Sequence, residues 1–378
     1  MEITLRKFDL LRELLLLQGV VERKTTIPIL SNILVESAGE GRLRLAATDL
    51  DLAIETSCPA KVKKSGGCAV PARKLLDYVR LLPDAEITLK LMENHWVQIR
   101  CGRANTRMVG MAKDNYPALP AFPAGAAAHI PVTPLRQMIR RTIFAISNEE
   151  SRYTLNGCLM VLRPSGLTLV ATDGHRLAHV ENDQVTIAGL DAESRNLVPK
   201  KAVVEVQEMT EAAPDGATVE FARDETHLFF RVAGPEGGMR SLSARQLTGQ
   251  FPNYEAVLPK QNERTVRVRS EEVGAAIRRV AQFADERSHA IRFRLEADKI
   301  ILTSSSSESG ESDEELEAPY QGEPMIIGFN SQYLLEFLQA AESEEVVFRL
   351  KDDQSAGELQ PKDGEQYRYR YVVMPMRI

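Results

Sequence analysis

Apolar positions along this chain follow two rhythms in turn. Leu10, Leu11, Leu14 and Leu15 recur at helical spacing around Arg12 and Glu13 and predict an amphipathic helix. Residues 33–37, 43–47 and 52–57 switch to the alternation of half-buried strands. Val70-Pro71-Ala72-Arg73-Lys74 then opens a second helix, with proline in its first turn and Leu75, Leu76, Val79 and Leu82 on one face. Strands over 86–91 and 97–101 and an extended segment over 107–111 follow. The plan then returns: a helix over 135–146, strands over 159–162 and 167–171, a helix start at Val198-Pro199-Lys200-Lys201, and strands over 218–222 and 227–232. It returns once more with a helix over 271–284 and strands over 291–295 and 299–303. A helix opened by Ile327-Gly328-Phe329-Asn330 and carrying Leu334, Leu335 and Leu338 comes next, with strands over 346–350 and 371–375.

The repeat is also spelled out in the residues. LAATDLDLAI at 45–54 and LVATDGHRLAHV at 169–180 share an Ala-Thr-Asp core. ILTS at 301–304 is a weaker copy whose tail is an acidic, Ser-rich run. Gly174 can take a positive φ without steric cost, so Asp173-Gly174 marks a tight turn inside a β-region. Thr48 and Thr172 lie 124 positions apart, and Thr172 and Thr303 lie 131 apart. Solenoid units span about 20–50 residues, so a period this long is a domain. The expectation is an α+β chain of three repeated domains, each with two helices packed on antiparallel sheets, over 1–121, 129–257 and 263–378. Linkers are expected at 121–129 and 259–264, and an exposed hairpin loop over 304–317.

At 378 residues the chain exceeds one ordinary core, which agrees with several domains. No apolar run reaches the ~20 residues of a membrane span, so no membrane partner is expected. The apolar N-terminal stretch is broken by Arg12 and Glu13 and lacks a small-residue cleavage site, so it reads as a helix and not a signal peptide. Cys58, Cys68, Cys101 and Cys158 show no Cys-x-x-Cys spacing and fit reduced thiols in a cytoplasmic protein, with no metal or cofactor implied. The net charge of −6 argues against a nucleic-acid partner only if the charge is evenly spread. It is not. Arg6, Lys7, Arg12, Arg23 and Lys24, then Arg73, Lys74 and Arg80, sit on the helices and turn of the first repeat. Arg136, Arg140, Arg141, Lys200 and Lys201 recur in the second, and Arg278, Arg279 and Arg287 in the third. Acidic residues gather at 308–317. Such helices suit phosphate tracking without base readout, and no zinc finger, helix-turn-helix or RNP aromatic motif accompanies them.

Asp173, His175 and Arg176 are the residues an enzyme would use, since an Asp can tune an imidazole. No Gly-x-Ser-x-Gly elbow, His-Glu-x-x-His or phosphate-cradling loop supports them, and the first repeat has Asp49 and Asp51 without a His. The expectation is that no reaction is catalysed. The competing readings are an enzyme built on Asp173 and His175 and a monomeric peptide-binding scaffold. The terminal Val372-Val373-Met374-Pro375-Met376-Arg377-Ile378 ends in adaptable apolar residues, with Pro375 expected to stop strand pairing and leave Met376 to Ile378 lining a groove.

TDGHRLA at 172–178, YTLNG at 153–157, FPNY at 251–254, IGFN at 327–330, VPARK at 70–74 and the terminal YVVMPMRI together closely resemble the bacterial DNA polymerase III β subunit family, the replicative sliding clamps, across the whole chain. The resemblance implies a half ring of three clamp domains, closed by a second copy into a head-to-tail homodimer around double-stranded DNA. It implies a non-catalytic processivity factor that tethers the replicative polymerase catalytic subunit, the clamp loader and other clamp-binding proteins through a peptide pocket. Carried over by motif, that pocket is Leu155, Thr172, Gly174, His175, Arg176, Leu177, Pro252, Val257, Asn330, Tyr333, Val372, Val373, Met374, Pro375, Met376, Arg377 and Ile378. Ala256 stands where the family often has Arg, and Ser288 where it can have an aromatic. DNA contacts implied are Arg23, Lys24, Arg73, Arg136, Arg140, Tyr153, Lys200 and Lys201. Dimer contacts implied are Thr106 and Met108 on one edge and Gln282 and Phe283 on the other.

Overall fold

The computed structural model describes residues 1–22, 25–39, 41–125, 127–149, 151–362 and 367–377. The chain forms two compact units: Met1–Arg136 with Ile187–Asp191 and Lys201–Gln246, and Gln137–Thr186 with Ala192–Lys200 and Leu247–Ile378.

The first unit holds two antiparallel sheets. One has five strands in the order β5 (Lys61–Lys64), β1 (Glu2–Arg6), β7 (Glu86–Leu91), β8 (Trp96–Cys101) and β9 (Ala104–Val109). The other has nine: β10 (Met111–Ala112), β6 (Gly67–Pro71), β2 (Asn32–Ala38), β3 (Arg42–Thr48), β4 (Leu52–Pro59), β18 (Met239–Arg245), β17 (His227–Ala233), β16 (Thr218–Arg223) and β11 (Ala128–Pro131). In the second unit an eight-stranded sheet runs β15 (Ser194–Pro199), β12 (Gly157–Arg163), β13 (Gly166–Thr172), β14 (Arg176–Asn182), β26 (Arg368–Val373), β25 (Gly357–Pro361), β24 (Glu345–Leu350) and β19 (Arg264–Arg269). A four-stranded sheet runs β22 (Gly310–Glu317), β21 (Lys299–Ser306), β20 (Ala290–Glu296) and β23 (Met325–Asn330).

These sheets explain why the compact units cut across the sequence repeats. β4 of the first repeat pairs with β18 of the second, with Ile54 opposite Leu242. β14 of the second pairs with β26 of the third, with Leu177 opposite Val372. A continuous ladder thus joins each repeat to the next within one sheet.

The described residues contain the six expected helices: α1 (Lys7–Leu17), α2 (Ala72–Leu81), α3 (Val132–Arg140), α4 (Lys200–Glu211), α5 (Ser270–Val280) and α6 (Ser331–Ala341). α1 packs beside α2, and α5 beside α6. α2 buries Leu75, Leu76 and Val79 and exposes Arg73, Lys74, Asp77 and Arg80, the stripe its sequence spells. α5 does the same with Val273, Ile277 and Val280 inside and Arg278 and Arg279 outside.

The repeated Ala-Thr-Asp core makes the same turn twice. Thr48 Oγ1 donates to the Leu52 carbonyl (2.9 Å) and accepts from the Leu50 amide (3.0 Å), while Asp49 Oδ1 accepts from the Asp51 and Leu52 amides (3.0 and 2.7 Å). Thr172 Oγ1 donates to the Arg176 carbonyl (2.5 Å) and accepts from Gly174 (3.1 Å), while Asp173 Oδ1 accepts from His175 and Arg176 (2.9 and 3.1 Å). The residue after the Asp is left-handed in both, Leu50 at φ 79° and Gly174 at φ 91°. The leucine carries the steric cost that the glycine avoids.

Several boundaries differ from the expectation. The helix expected over 135–146 stops at Arg140, and a single 3₁₀ turn follows at Ile143–Ala145. Thr142 ends it by leaving helical φ/ψ while its hydroxyl donates to the Met138 carbonyl (2.9 Å). The helix expected over 271–284 tightens to 3₁₀ at Ala281–Phe283. Ile327 to Asn330 does not open a helix but ends β23, and Asn330 caps α6 by accepting from the Gln332 amide (2.9 Å). Pro71 and Pro199 likewise close strands before their helices. The acidic run is no loop: β21 and β22 pair from Lys299 opposite Glu317 to Ser306 opposite Gly310.

Candidate functional site

The peptide-pocket residues lie in the second unit, around the seam where β14 meets β26. Leu177 and Val372 face each other there and join Leu159, Val161, Val170 and Tyr254 in a buried cluster, with Phe251 and Leu258 packed against it. Thr172, Leu177, Val372 and Val373 are buried, so they form the floor. The accessible surface comes from Gly174, His175, Pro252, Val257, Met374 and Arg377, with Leu155, Asn330, Tyr333, Pro375 and Met376 half-buried among them. Val257 and Met374 keep 45% and 44% of their surface exposed, the apolar exposure that an anchor residue would cover. Ile378 lies outside the described residues.

The tail after β26 is held from two sides. The Met374 amide donates to the His175 carbonyl (2.9 Å), and the Met376 amide to the Gly328 carbonyl (2.9 Å). Pro375, which has no amide hydrogen, sits between them at the change of partner. Sequence reasoning expected pairing to end at Pro375, but Met376 bridges to the edge of β23. Beside it a cleft of about 500 Å³ is lined by Ser288, Arg292, Thr303, Met376 and Arg377 among others.

Arg176 fixes this corner. Its Nε donates to Asp173 Oδ2 (3.0 Å) and Nη2 to the Phe144 carbonyl (2.6 Å), while Nη1 pairs with Glu336. The guanidinium stacks over the rings of Tyr333 and Phe144, 4.3 and 5.4 Å from their centroids. Burial alone would favour the neutral form, but Tyr371 and Glu336 outweigh it and raise Arg176 above its ordinary value. The Tyr371 hydroxyl donates to the Tyr333 carbonyl (3.0 Å), tying β26 to α6. Leu155 joins the site through Arg152, whose Nη1 donates to the Asp173 carbonyl (2.8 Å) and whose carbonyl accepts from the Leu155 amide (2.8 Å).

The catalytic alternative fails on geometry. Asp173 engages both carboxylate oxygens, one with two backbone amides and one with Arg176, so it is a turn former and does not orient His175. His175 is exposed beside it. Among the described residues, no group of His, Cys, Asp and Glu is arranged to hold a metal. All four cysteines are free and buried, and burial pushes the Cys58 and Cys158 thiols up to about 12.

The residues singled out for DNA are carried by both units. Arg73 is exposed on α2, 3.8 Å from Asp77. Arg136 and Arg140 share a face of α3, and Tyr153 is 49% exposed. Lys200 donates to Asn148 (2.6 Å) and the Ile146 carbonyl, and burial, then Arg176, lowers its pKa. Lys201 pairs with Asp49 (2.9 Å). Arg23 and Lys24 lie outside the described residues. Of the dimer candidates, Thr106 and Met108 are on β9, an open sheet edge, but Met108 is buried and the outward residues are Asn105, Arg107 and Val109. Gln282 and Phe283 occupy the 3₁₀ turn after α5. Sequence reasoning missed Glu336, Phe144 and Tyr371 at the pocket and the open edge of β22. Glu311, Asp313, Glu315 and Glu317 alternating with Ser312 and Leu316 along β22 were its advance signal in the sequence.

Comparison with known proteins covers the whole chain. The N-terminal, central and C-terminal domains of the DNA polymerase III beta subunit match residues 1–120, 129–253 and 255–377. The beta sliding clamp of Caulobacter vibrioides is 33% identical over 388 residues, covering 100% of both chains. The crystal structure of the DNA polymerase III subunit beta of Bartonella birtlesii bound to griselimycin superimposes with a TM-score of 0.91 at 33% identity, covering 100% of both chains. That of Pseudomonas aeruginosa does so at 0.89 and 31%, again over 100% of both.

Proposed function

Since this chain belongs to the DNA polymerase III beta subunit family, we propose that it works as a head-to-tail homodimeric ring through the two open edges and the seam pocket described above. It is a processivity clamp, a non-catalytic polymerase subunit that encircles duplex DNA without reading sequence and tethers the replicative polymerase and other replication proteins. Tethering acts through effective concentration, so the polymerase stays near its template while the ring slides.

The observation that carries the partner-binding assignment is the tail, pinned at Met374 and Met376 over the Leu177–Val372 floor. A preformed apolar groove with a few polar groups on its rim suits a short peptide with apolar anchors, and His175 and Arg377 supply that rim. Ring closure is supported by charge. The open edge of β9 carries exposed Arg107, with Arg103 in its turn, and the open edge of β22 carries Glu311, Asp313, Glu315 and Glu317. Edges of opposite sign suit heterologous pairing between two copies. The ring works in the cytoplasm, on the nucleoid. The purified protein, loaded by its clamp loader, should stay on nicked circular DNA and run off once that DNA is linearised; equal retention on both forms refutes encirclement.

A further inference from the structure

In the second unit Met376 and Arg377 belong to the seam pocket and also line the cleft of about 500 Å³ beside it. Pocket and cleft share a second wall. Asn330, at the pocket, donates from Nδ2 to the carbonyl of Ser288, which lines the cleft (3.4 Å). That wall is fixed by its own turn: Asp285 Oδ1 accepts from the Arg287 and Ser288 amides (3.2 and 2.9 Å), and the Asp285 carbonyl accepts from the His289 amide (2.8 Å). The cleft thus adjoins the pocket along the tail and along this turn.

The register of the four-stranded sheet orders the charge across the cleft. Arg292 on β20 stands opposite Gly328 on β23, whose carbonyl holds the Met376 amide (2.9 Å). On its other side Arg292 stands opposite Thr303 on β21, and Thr303 opposite Asp313 on β22. The basic side of the cleft, Arg292 and Arg377, therefore lies next to the pocket. The acidic side, Glu311 and Asp313, lies two strands or about 10 Å beyond Arg292. Arg292 and Arg377 are both exposed and, among the described residues, neither has a hydrogen-bond or ion-pair partner. Asp285, the acid on their side, is occupied by the amides of its turn.

We propose that the cleft is a charge-reading extension of the peptide pocket. It takes the flank of a partner segment whose apolar anchors sit in the pocket, and it selects a flank carrying aspartate or glutamate, held by Arg292 and Arg377. The proposal rests on the pocket reading above and adds what distinguishes the tighter partners. A cleft of this size falls in the range of about 300–1,000 Å³ that holds several side chains, and a preformed wall lowers the cost of ordering the flank. An extended residue spans about 3.3 Å, so two acidic residues stay on the basic side and do not reach Asp313. A longer run of phosphates would meet Glu311 and Asp313, so single-stranded nucleic acid is disfavoured.

The test titrates the full chain at low salt with fluorescein-labelled peptides of the replicative polymerase's clamp-binding segment, read by anisotropy. The peptides carry the anchors alone, or the anchors with Glu-Glu or Lys-Lys added at either end. Glu-Glu at one end should tighten binding about three- to tenfold, and Lys-Lys at that end should not. Arg292→Glu should remove the gain and leave the anchors-only affinity unchanged, while Arg292→Lys should keep most of it. Met374→Ala should weaken every peptide. A gain below about twofold at both ends, or one that survives Arg292→Glu, overturns the cleft proposal and leaves the pocket standing. Failure of the anchors-only peptide to bind overturns pocket and cleft together.

Discussion

Glu205 and Glu13 are both buried in the first unit, yet their carboxyls move in opposite directions. Burial pushes Glu205 up to about 7, with Glu208 adding to it. Burial acts on Glu13 as well, but hydrogen bonds from Arg240, Thr56 and Arg12 outweigh it and hold Glu13 below the ordinary carboxylate value. The perturbation that isolates this difference is Glu205→Gln. A rise from 4.5 to about 7 corresponds to about 3 kcal/mol of folding free energy. Because the folded pKa lies above the unfolded one, the folded chain binds the extra proton, and stability falls as pH rises from about 4.5 to about 7 and then levels. Glutamine carries no charge, so the variant lacks that fall. Arg12 and Arg240 pair with Glu13 and not with Glu205. Thermal unfolding of both proteins at pH 4.5 and pH 8, with amide exchange read on α4, should give equal stability at the lower pH and a more stable variant at the higher. A variant difference that is the same at both pH values, or a less stable variant at pH 8, refutes the reasoning.

Three further outcomes follow from the second unit and the sheet edges. Arg176→Lys should destabilise by about 2–3 kcal/mol, because lysine cannot keep the Asp173 and Phe144 contacts while stacking on Tyr333; an unchanged melting temperature contradicts the corner's role. The pair with Glu336 contributes little to that figure, since Glu336 is 45% exposed. Removing 374–378 should abolish binding of clamp-binding peptides while sedimentation still reports a dimer, and persistent peptide binding would move the pocket elsewhere. Arg103→Glu with Arg107→Glu should weaken dimerisation at least about tenfold in low salt through like-charge contact with β22; a dimer of unaltered affinity at micromolar concentration removes that edge from the interface.

The sequence made the elements legible where one face was simply apolar. α2 and α5 read directly, because Leu75, Leu76 and Val79, or Val273, Ile277 and Val280, have no competing role. The Thr-Asp turns were legible too, since the hydrogen bonds that make them are local. What failed to read was non-local. β18 and β25 need a partner strand from elsewhere in the chain to be strands at all, and β22 hides its role behind Ser and Glu. The pocket was half legible. Residues of the TDGHRLA and VVMPMRI motifs were in the text, but Glu336 and Phe144 reach Arg176 from 160 and 32 positions away, a juxtaposition that no local pattern encodes. Leu15 looked like ordinary core periodicity alongside Leu11 and Leu14, and only the fold leaves it 45% exposed.

The distribution of charge bears on how a protein of net charge −6 holds DNA. Several basic candidates already serve internal acceptors: Lys201 meets Asp49, Arg279 meets Glu314, and Lys200 donates to Ile146 and Asn148. Each cation so engaged subtracts from the counterion-release term that makes ordinary DNA affinity strong and salt-sensitive. For a protein that grips its ligand this would be a defect. A closed ring is held by topology, and excess phosphate affinity would only slow its movement along the duplex. The acidic residues then make sense by position: on β22 they lie on a sheet edge, where they can meet a basic edge of a second copy and govern closure. In the ring proposed above, weak attraction to the duplex and complementary charge at the proposed closure would be the division of charge that sliding requires.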